Sequence, residues 1–163
     1  MGTVISKDHQ SKVESYIELG RQEGGVVLTG GTAAEAPVDN VPSEGAFLRP
    51  TVIEGLSYAA RTATEEIFGP VVTLHPFNSE QEAVDMANAT EYGLAGSVWT
   101  ADVERGHAFA QRMDTGIVWV NTWLNRDLRT PFGGVKQSGV GREGGAWSLN
   151  FFSELTNICV QQP

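Results

Sequence analysis

The stretch from Val71 to Asn121 constrains the fold most, because strand-like apolar runs alternate along it with capped helical windows. Val71 to Phe77 reads as a strand. Ser79-Glu80-Gln81-Glu82 then reads as a capping box, in which the Ser79 hydroxyl and the Glu82 carboxylate take up the first free amides of a helix. That helix is expected to reach about Ala89 and to end near Gly93. Leu94 to Thr100 is the next strand, Asp102 can cap a second helix reaching Met113, and Gly116 to Asn121 is a third strand. The order is β-α-β-α-β, and connections of that length imply parallel neighbours with helices covering the sheet. The fold class is therefore α/β. Ligands of such sheets bind outside the carboxyl ends of the strands. The loop from Thr122 to Gly134, which leaves the third strand there, is thus the best-placed segment for substrate contact.

On the N-terminal side, Val13, Tyr16, Ile17 and Gly20 recur at spacings of three and four, one face of a helix from Lys7 to Glu23 that Gly24-Gly25 ends. Val26 to Leu28 reads as a short strand. Gly30 to Gly45 reads as a surface loop, and Phe47 to Ile53 as a strand that Pro50 places at an edge or a start. After the 122–134 loop, Ala146 to Phe152 suggests a short helix, and Leu155 to Val160 a terminal strand that must pair with another segment or another subunit. There are no internal repeats and no linker, so one compact domain is expected for the 163 residues.

A net charge of −9 and a pI near 4.7 leave no electrostatic footprint for nucleic acid or an anionic membrane. No apolar run has the length of a signal peptide core or a membrane span, and the chain is expected to be cytoplasmic. A single cysteine, Cys159, rules out an internal disulfide framework. It lies in an apolar terminal run with no basic residue near it in sequence, which fits a packed hydrophobe better than a nucleophile. His9, His75 and His107 have no ligand spacing among them, so no metal site is expected.

Gly139-Val140-Gly141-Arg142-Glu143-Gly144 resembles a phosphate loop in composition, but it lacks the preceding strand that such a loop requires. Glu65-Glu66 before Ile67-Phe68-Gly69-Pro70 has two readings: solvated charges at a turn, or a carboxylate held by a rigid corner to bind the hydroxyls of a ribose. Physical chemistry by itself favours the first.

Those same residues carry a resemblance. Glu65-Glu66-Ile67-Phe68-Gly69-Pro70-Val71 and Pro131-Phe132-Gly133-Gly134-Val135-Lys136-Gln137-Ser138-Gly139-Val140-Gly141-Arg142-Glu143-Gly144 resemble the two C-terminal signatures of the aldehyde dehydrogenase superfamily. The likeness runs in order through the chain, from Gly2-Thr3-Val4-Ile5-Ser6 through Tyr92-Gly93-Leu94-Ala95 to the terminal strand. It implies oxidation of an aldehyde to a carboxylic acid with NAD, or NADP, as cofactor. By motif, Glu66 would bind the nicotinamide ribose hydroxyls, Phe68 would pack beside the nicotinamide, and His9 and Lys12 would approach the adenosine side. Phe132 would line the substrate tunnel, Glu143 would help relay protons, and Arg142 with Glu154 would form a structural ion pair near a subunit interface. The resemblance also implies 1–152 as the C-terminal part of the catalytic domain and 153–163 as an oligomerisation strand of a homo-oligomer.

Within the family, Asn121-Thr122-Trp123-Leu124-Asn125-Arg126-Asp127-Leu128-Arg129 resembles the muconic semialdehyde dehydrogenases. A guanidinium at Arg126, with Arg129 close by, suits a substrate whose far end is a carboxylate, since a bidentate pair fixes orientation as well as charge. The plainer reading of Arg126 is a charge on a surface loop. The family's nucleophilic cysteine, general base, oxyanion-holding asparagine and dinucleotide-binding portion match positions upstream of this segment. The chain is accordingly expected to be inactive alone, either as part of an active enzyme or as a non-catalytic module that joins full-length subunits.

Overall fold

The computed structural model describes residues 2–162, which form two compact units dividing between Ala89 and Thr90. The first unit opens on α1 (Lys7–Gln22), capped by the Ser6 hydroxyl, which accepts from the His9 amide at 3.1 Å. Its apolar face buries Val13 and Ile17 completely, against Leu48 and Ile67. The helix ends where Gly25 donates to the Gly20 carbonyl at 2.8 Å and Gly24 takes the left-handed backbone at φ 92°. β1 (Val26–Thr29), β2 (Thr51–Glu54), a single turn α2 (Arg61–Thr64) and β3 (Val71–Leu74) follow, and α3 (Glu80–Asn88) closes the unit. β2 is central, antiparallel to β1 and parallel to β3, with Thr51 opposite Val71 and Glu54 opposite Leu74. Ile53, fully buried, packs this sheet under α1, where a side chain on Gly20 would come within 3.0 Å of it.

In the second unit β4 (Tyr92–Gly93) and β5 (Ala95–Val98) precede α4 (Val103–Ala110) and β6 (Ile117–Val120); β7 (Val135–Lys136) and α5 (Gly145–Phe152) complete it. β5 and β6 pair in parallel from Ala95–Ile117 to Val98–Val120, a β-α-β unit with α4 as its crossover. Gly106 lets α4 lie on the strand, since a Cβ there would stand 2.8 Å from the Val120 side chain. Asn121 locks the strand ends: its side-chain oxygen accepts from the Thr100 amide and its nitrogen donates to the Thr100 carbonyl, both at 2.8 Å.

The chain is thus mixed α/β, as expected, but it divides into two compact units where one domain was expected, and the sheet also needs correction. The three strands from Val71 to Asn121 do not share one sheet: β3 pairs with β2, and β5 with β6. Alternation of apolar runs identifies the elements but not their partners, and β2 supplies a four-residue parallel register for β3 that a helical crossover from α3 does not return to. Leu155 to Val160 pairs with no other segment among the described residues, and Leu155, Ile158 and Val160 are 80% or more exposed.

Candidate functional site

The loop that joins α2 to β3 carries the first cluster. Ile67 anchors it in the core, and Gly69 lies so close to α1 that a Cβ there would sit 2.5 Å from the Val13 side chain. Only glycine lets the loop rest on the helix at that point. The residues on either side of Ile67 are therefore held against the exposed edge of α1. The His9 ring nitrogen Nε2 lies 2.8 Å from the Phe68 carbonyl oxygen, and Lys12 donates through Nζ to the Glu66 carbonyl at 3.3 Å. Phe68 adopts φ 60°, a left-handed conformation that costs an aromatic residue on the order of 1–2 kcal/mol, and its ring is 76% exposed. The His9 and Phe68 rings meet edge to face with centroids 6.2 Å apart. The four residues expected at the cofactor, His9, Lys12, Glu66 and Phe68, come together here. The exposed Glu66 carboxylate, the Lys12 ammonium and a bare aromatic face suit a ligand that carries hydroxyls and a flat ring.

Sequence reasoning missed the group that props this loop from behind. Glu65 accepts from the Tyr16 hydroxyl at 2.7 Å and from Arg61 through Nε at 2.7 Å and Nη2 at 3.1 Å. The Arg61 guanidinium and then the Tyr16 hydroxyl pull the Glu65 carboxyl down to about 2. Glu23 in turn accepts from the amides of Arg61 and Thr62 and from the Thr62 hydroxyl at 2.7 Å, capping α2. The spacing of Arg61 and Glu65, four residues apart, was the available signal.

The second cluster lies in the other unit, in the segment after β6. Trp119, buried in β6, donates through Nε1 to the Asn125 carbonyl at 2.9 Å and meets Trp123 edge to face at 5.0 Å. This pins the stem of the loop. Arg126 then lays its guanidinium over the Phe132 ring, 3.8 Å from the centroid, and brings Nη2 to 3.9 Å from Glu143 Oε1. Phe132 and Glu143 are themselves opposite each other in an antiparallel bridge. A cavity of about 260 Å³ opens beside them, lined in part by Ile117, Trp119, Asn125, Arg126, Thr130 and Phe132.

Arg126, Phe132 and Glu143 are thus brought together. Arg129 is not: it is bound to Asp127 at 2.9 Å and is 88% exposed, and its guanidinium holds the Asp127 carboxyl below the usual carboxylate range. Arg142 donates to the carbonyls of Gly134 at 2.9 Å and Gly141 at 2.6 Å, and it makes no ion pair with Glu154 among the described residues. It buttresses the glycine turn instead. Cys159 is exposed on the terminal segment, beside the Asn157 amide nitrogen at 3.4 Å.

The sequence matches the aldehyde dehydrogenase family over residues 1–158, and the chain belongs to that family. It is 53% identical over 161 residues to a 2-aminomuconic 6-semialdehyde dehydrogenase of Pseudomonas sp., and 50% identical over 160 residues to a 2-hydroxymuconic semialdehyde dehydrogenase of Pseudomonas sp. strain CF600. These alignments cover 99% and 98% of this chain but 32% of each relative, so the chain spans about a third of the length of the curated relatives it matches. Among solved structures, HpcC from Thermus thermophilus superposes with a TM-score of 0.90 at 42% identity, covering all of this chain and 32% of that one. A Mycobacterium tuberculosis aldehyde dehydrogenase complexed with NAD+ superposes with a TM-score of 0.88 at 39% identity, covering 94% of this chain and 31% of that one.

Proposed function

We propose that this chain forms the C-terminal part of an NAD(P)-linked aldehyde dehydrogenase that oxidises a semialdehyde bearing a carboxylate at its far end, such as 2-hydroxymuconic or 2-aminomuconic semialdehyde. The observation that carries the reading is the Arg126 guanidinium stacked on Phe132 beside an open cavity. A guanidinium so placed can take a ligand carboxylate through two parallel N–H···O bonds while its face stays on the ring. The relatives named for muconic semialdehydes support the same chemistry.

The cofactor supplies the hydride acceptor when it is bound. The work of this chain is then to position. Glu66 offers acceptors to a pair of ribose hydroxyls, the Phe68 ring offers a flat apolar face, and Lys12 and His9 hold the carbonyls of that loop, with the Lys12 ammonium exposed beside it. Arg126 fixes the far end of the substrate and Phe132 walls its path. Cys159, exposed and without a basic neighbour in hydrogen-bond contact among the described residues, is not the nucleophile of this scheme, and the 163-residue chain on its own is expected to oxidise no aldehyde. The second reading is a non-catalytic module that joins full-length subunits through residues 153–163, a role favoured by the exposed Leu155, Ile158 and Val160.

Titration of the ¹⁵N-labelled chain tests the first reading. NAD+ is expected to shift the amide signals of Glu66 and Phe68, and the six-carbon dicarboxylate muconate those around Arg126 and Phe132. Muconate shifts that survive Arg126→Ala undiminished would overturn the role given to Arg126. Mixing the chain with a full-length muconic semialdehyde dehydrogenase tests the second reading, which requires mixed oligomers of reduced turnover.

A further inference from the structure

Glu143 stands beside Arg126 because the backbone puts it there. The Phe132 amide donates to the Glu143 carbonyl and the Glu143 amide to the Phe132 carbonyl, each at 2.8 Å. Residues paired in this way send their side chains to the same face. The guanidinium that covers the Phe132 ring at 3.8 Å therefore meets the Glu143 carboxylate at 3.9 Å. Neither side chain is buried: Arg126 is 36% and Glu143 61% exposed. A pair so open to water is weak and readily exchanged, whereas a buried one would hold the guanidinium fast.

We infer that Glu143 is an internal competitor for the ligand carboxylate at Arg126. A substrate carboxylate binds by displacing it, and its return helps to expel the product. This rests on the reading of Arg126 as the carboxylate anchor. The exchange is favourable because one contact at 3.9 Å gives way to two charge-assisted hydrogen bonds. It also addresses a problem set by the chemistry. Oxidation of a carboxylate-bearing aldehyde yields a dicarboxylate, which an uncontested guanidinium would retain. A tethered carboxylate, always at hand, keeps that product exchangeable. Glu143 acts through Arg126 and is in this respect a positioning residue.

The test compares muconate with sorbamide, an uncharged compound of the same carbon skeleton. Each is titrated at low salt into the 163-residue chain and into its Glu143→Gln, Glu143→Ala, Glu143→Asp and Arg126→Ala variants, followed by ¹H–¹⁵N spectra. Glu143→Gln and Glu143→Ala are expected to bind muconate about two- to fivefold more tightly than the unmodified chain. The gain should shrink as salt is added. Glu143→Asp, which keeps the charge, should bring affinity back towards that of the unmodified chain, and sorbamide should not distinguish the charged from the uncharged variants. Muconate affinity that is unchanged or weaker in both uncharged variants, with Arg126→Ala still abolishing binding, would overturn the competitor and leave the anchor standing. Muconate binding that persists in Arg126→Ala, or is absent from every variant, would overturn the anchor and the competitor with it.

Discussion

The two clusters are held in place by opposite means. The loop from Glu65 to Pro70 is fixed from beneath: Ile67 enters the core, Gly69 lies on Val13, and the exposed ring of Phe68 is held above them on a left-handed backbone. The loop from Thr122 to Pro131 is fixed along its own length, by the Trp119 indole on the Asn125 carbonyl, by Asp127 on Arg129, and by Arg126 on Phe132. Leu124 and Leu128 in that loop are 61% and 75% exposed. Under the proposed function the first loop serves the cofactor, so its surface can be welded to the core; the second serves the substrate, and its local polar contacts can change without cost to the fold beneath.

The contrast predicts unequal mutational effects. Ile67→Ala should cost about 2–5 kcal/mol in chemical denaturation, whereas Leu128→Ala should stay within about 0.5 kcal/mol. Comparable costs at the two sites would erase the distinction. Gly69→Ala comes next, at about 1–3 kcal/mol, because its methyl group must displace Val13 in a filled core. A neutral result there would mean that the loop can lift from α1.

The third effect is read in pH. The Glu65 carboxyl lies at about 2 in the folded chain, below its ordinary 4.5. The stability it contributes is therefore complete above about 4.5 and is lost as the pH falls through that value towards about 2. Glu65→Gln should flatten this part of the stability profile, and an unchanged profile would remove the Arg61–Glu65–Tyr16 prop from the account. The smallest effect is a gain. Phe68→Gly relieves about 1–2 kcal/mol of left-handed strain but adds about 0.4–1 kcal/mol of unfolded-state freedom. The net stabilisation should lie between about 0 and about 1.6 kcal/mol, accompanied by weaker NAD+ binding. Loss of stability would show that the Phe68 ring is part of the packing.

What could be read from the sequence was local in origin. Ser79 accepts from the Glu82 amide at 3.2 Å, and Asp102 accepts from the Arg105 amide at 3.0 Å, as their spacing implied. The Glu82 carboxylate, however, reaches the amide of Asn78 at 2.7 Å, one residue further back than a simple capping box requires. The pairing of β4 with β7 left no trace, because each contributes two residues and no periodicity forms over so short a run. The gathering of His9 and Lys12 with Glu66 and Phe68 was reached through a resemblance. Nothing in residues more than fifty positions apart announces that a glycine will let them touch. The contact of Arg126 with Glu143 was not foreseen for a related reason: it follows from the bridge between Phe132 and Glu143, which the glycine-rich turn from Gly133 to Gly141 creates.

The exposed end of the chain bears on how such a protein behaves in concentrated solution. Leu155-Thr156-Asn157-Ile158-Cys159-Val160 carries no charge and no proline, and its apolar members face water. Segments of that composition stack readily into intermolecular sheets. Self-association through these six residues, rather than unfolding of either unit, would then limit the concentration at which the free chain stays dispersed. A lysine in place of Ile158 would raise that ceiling.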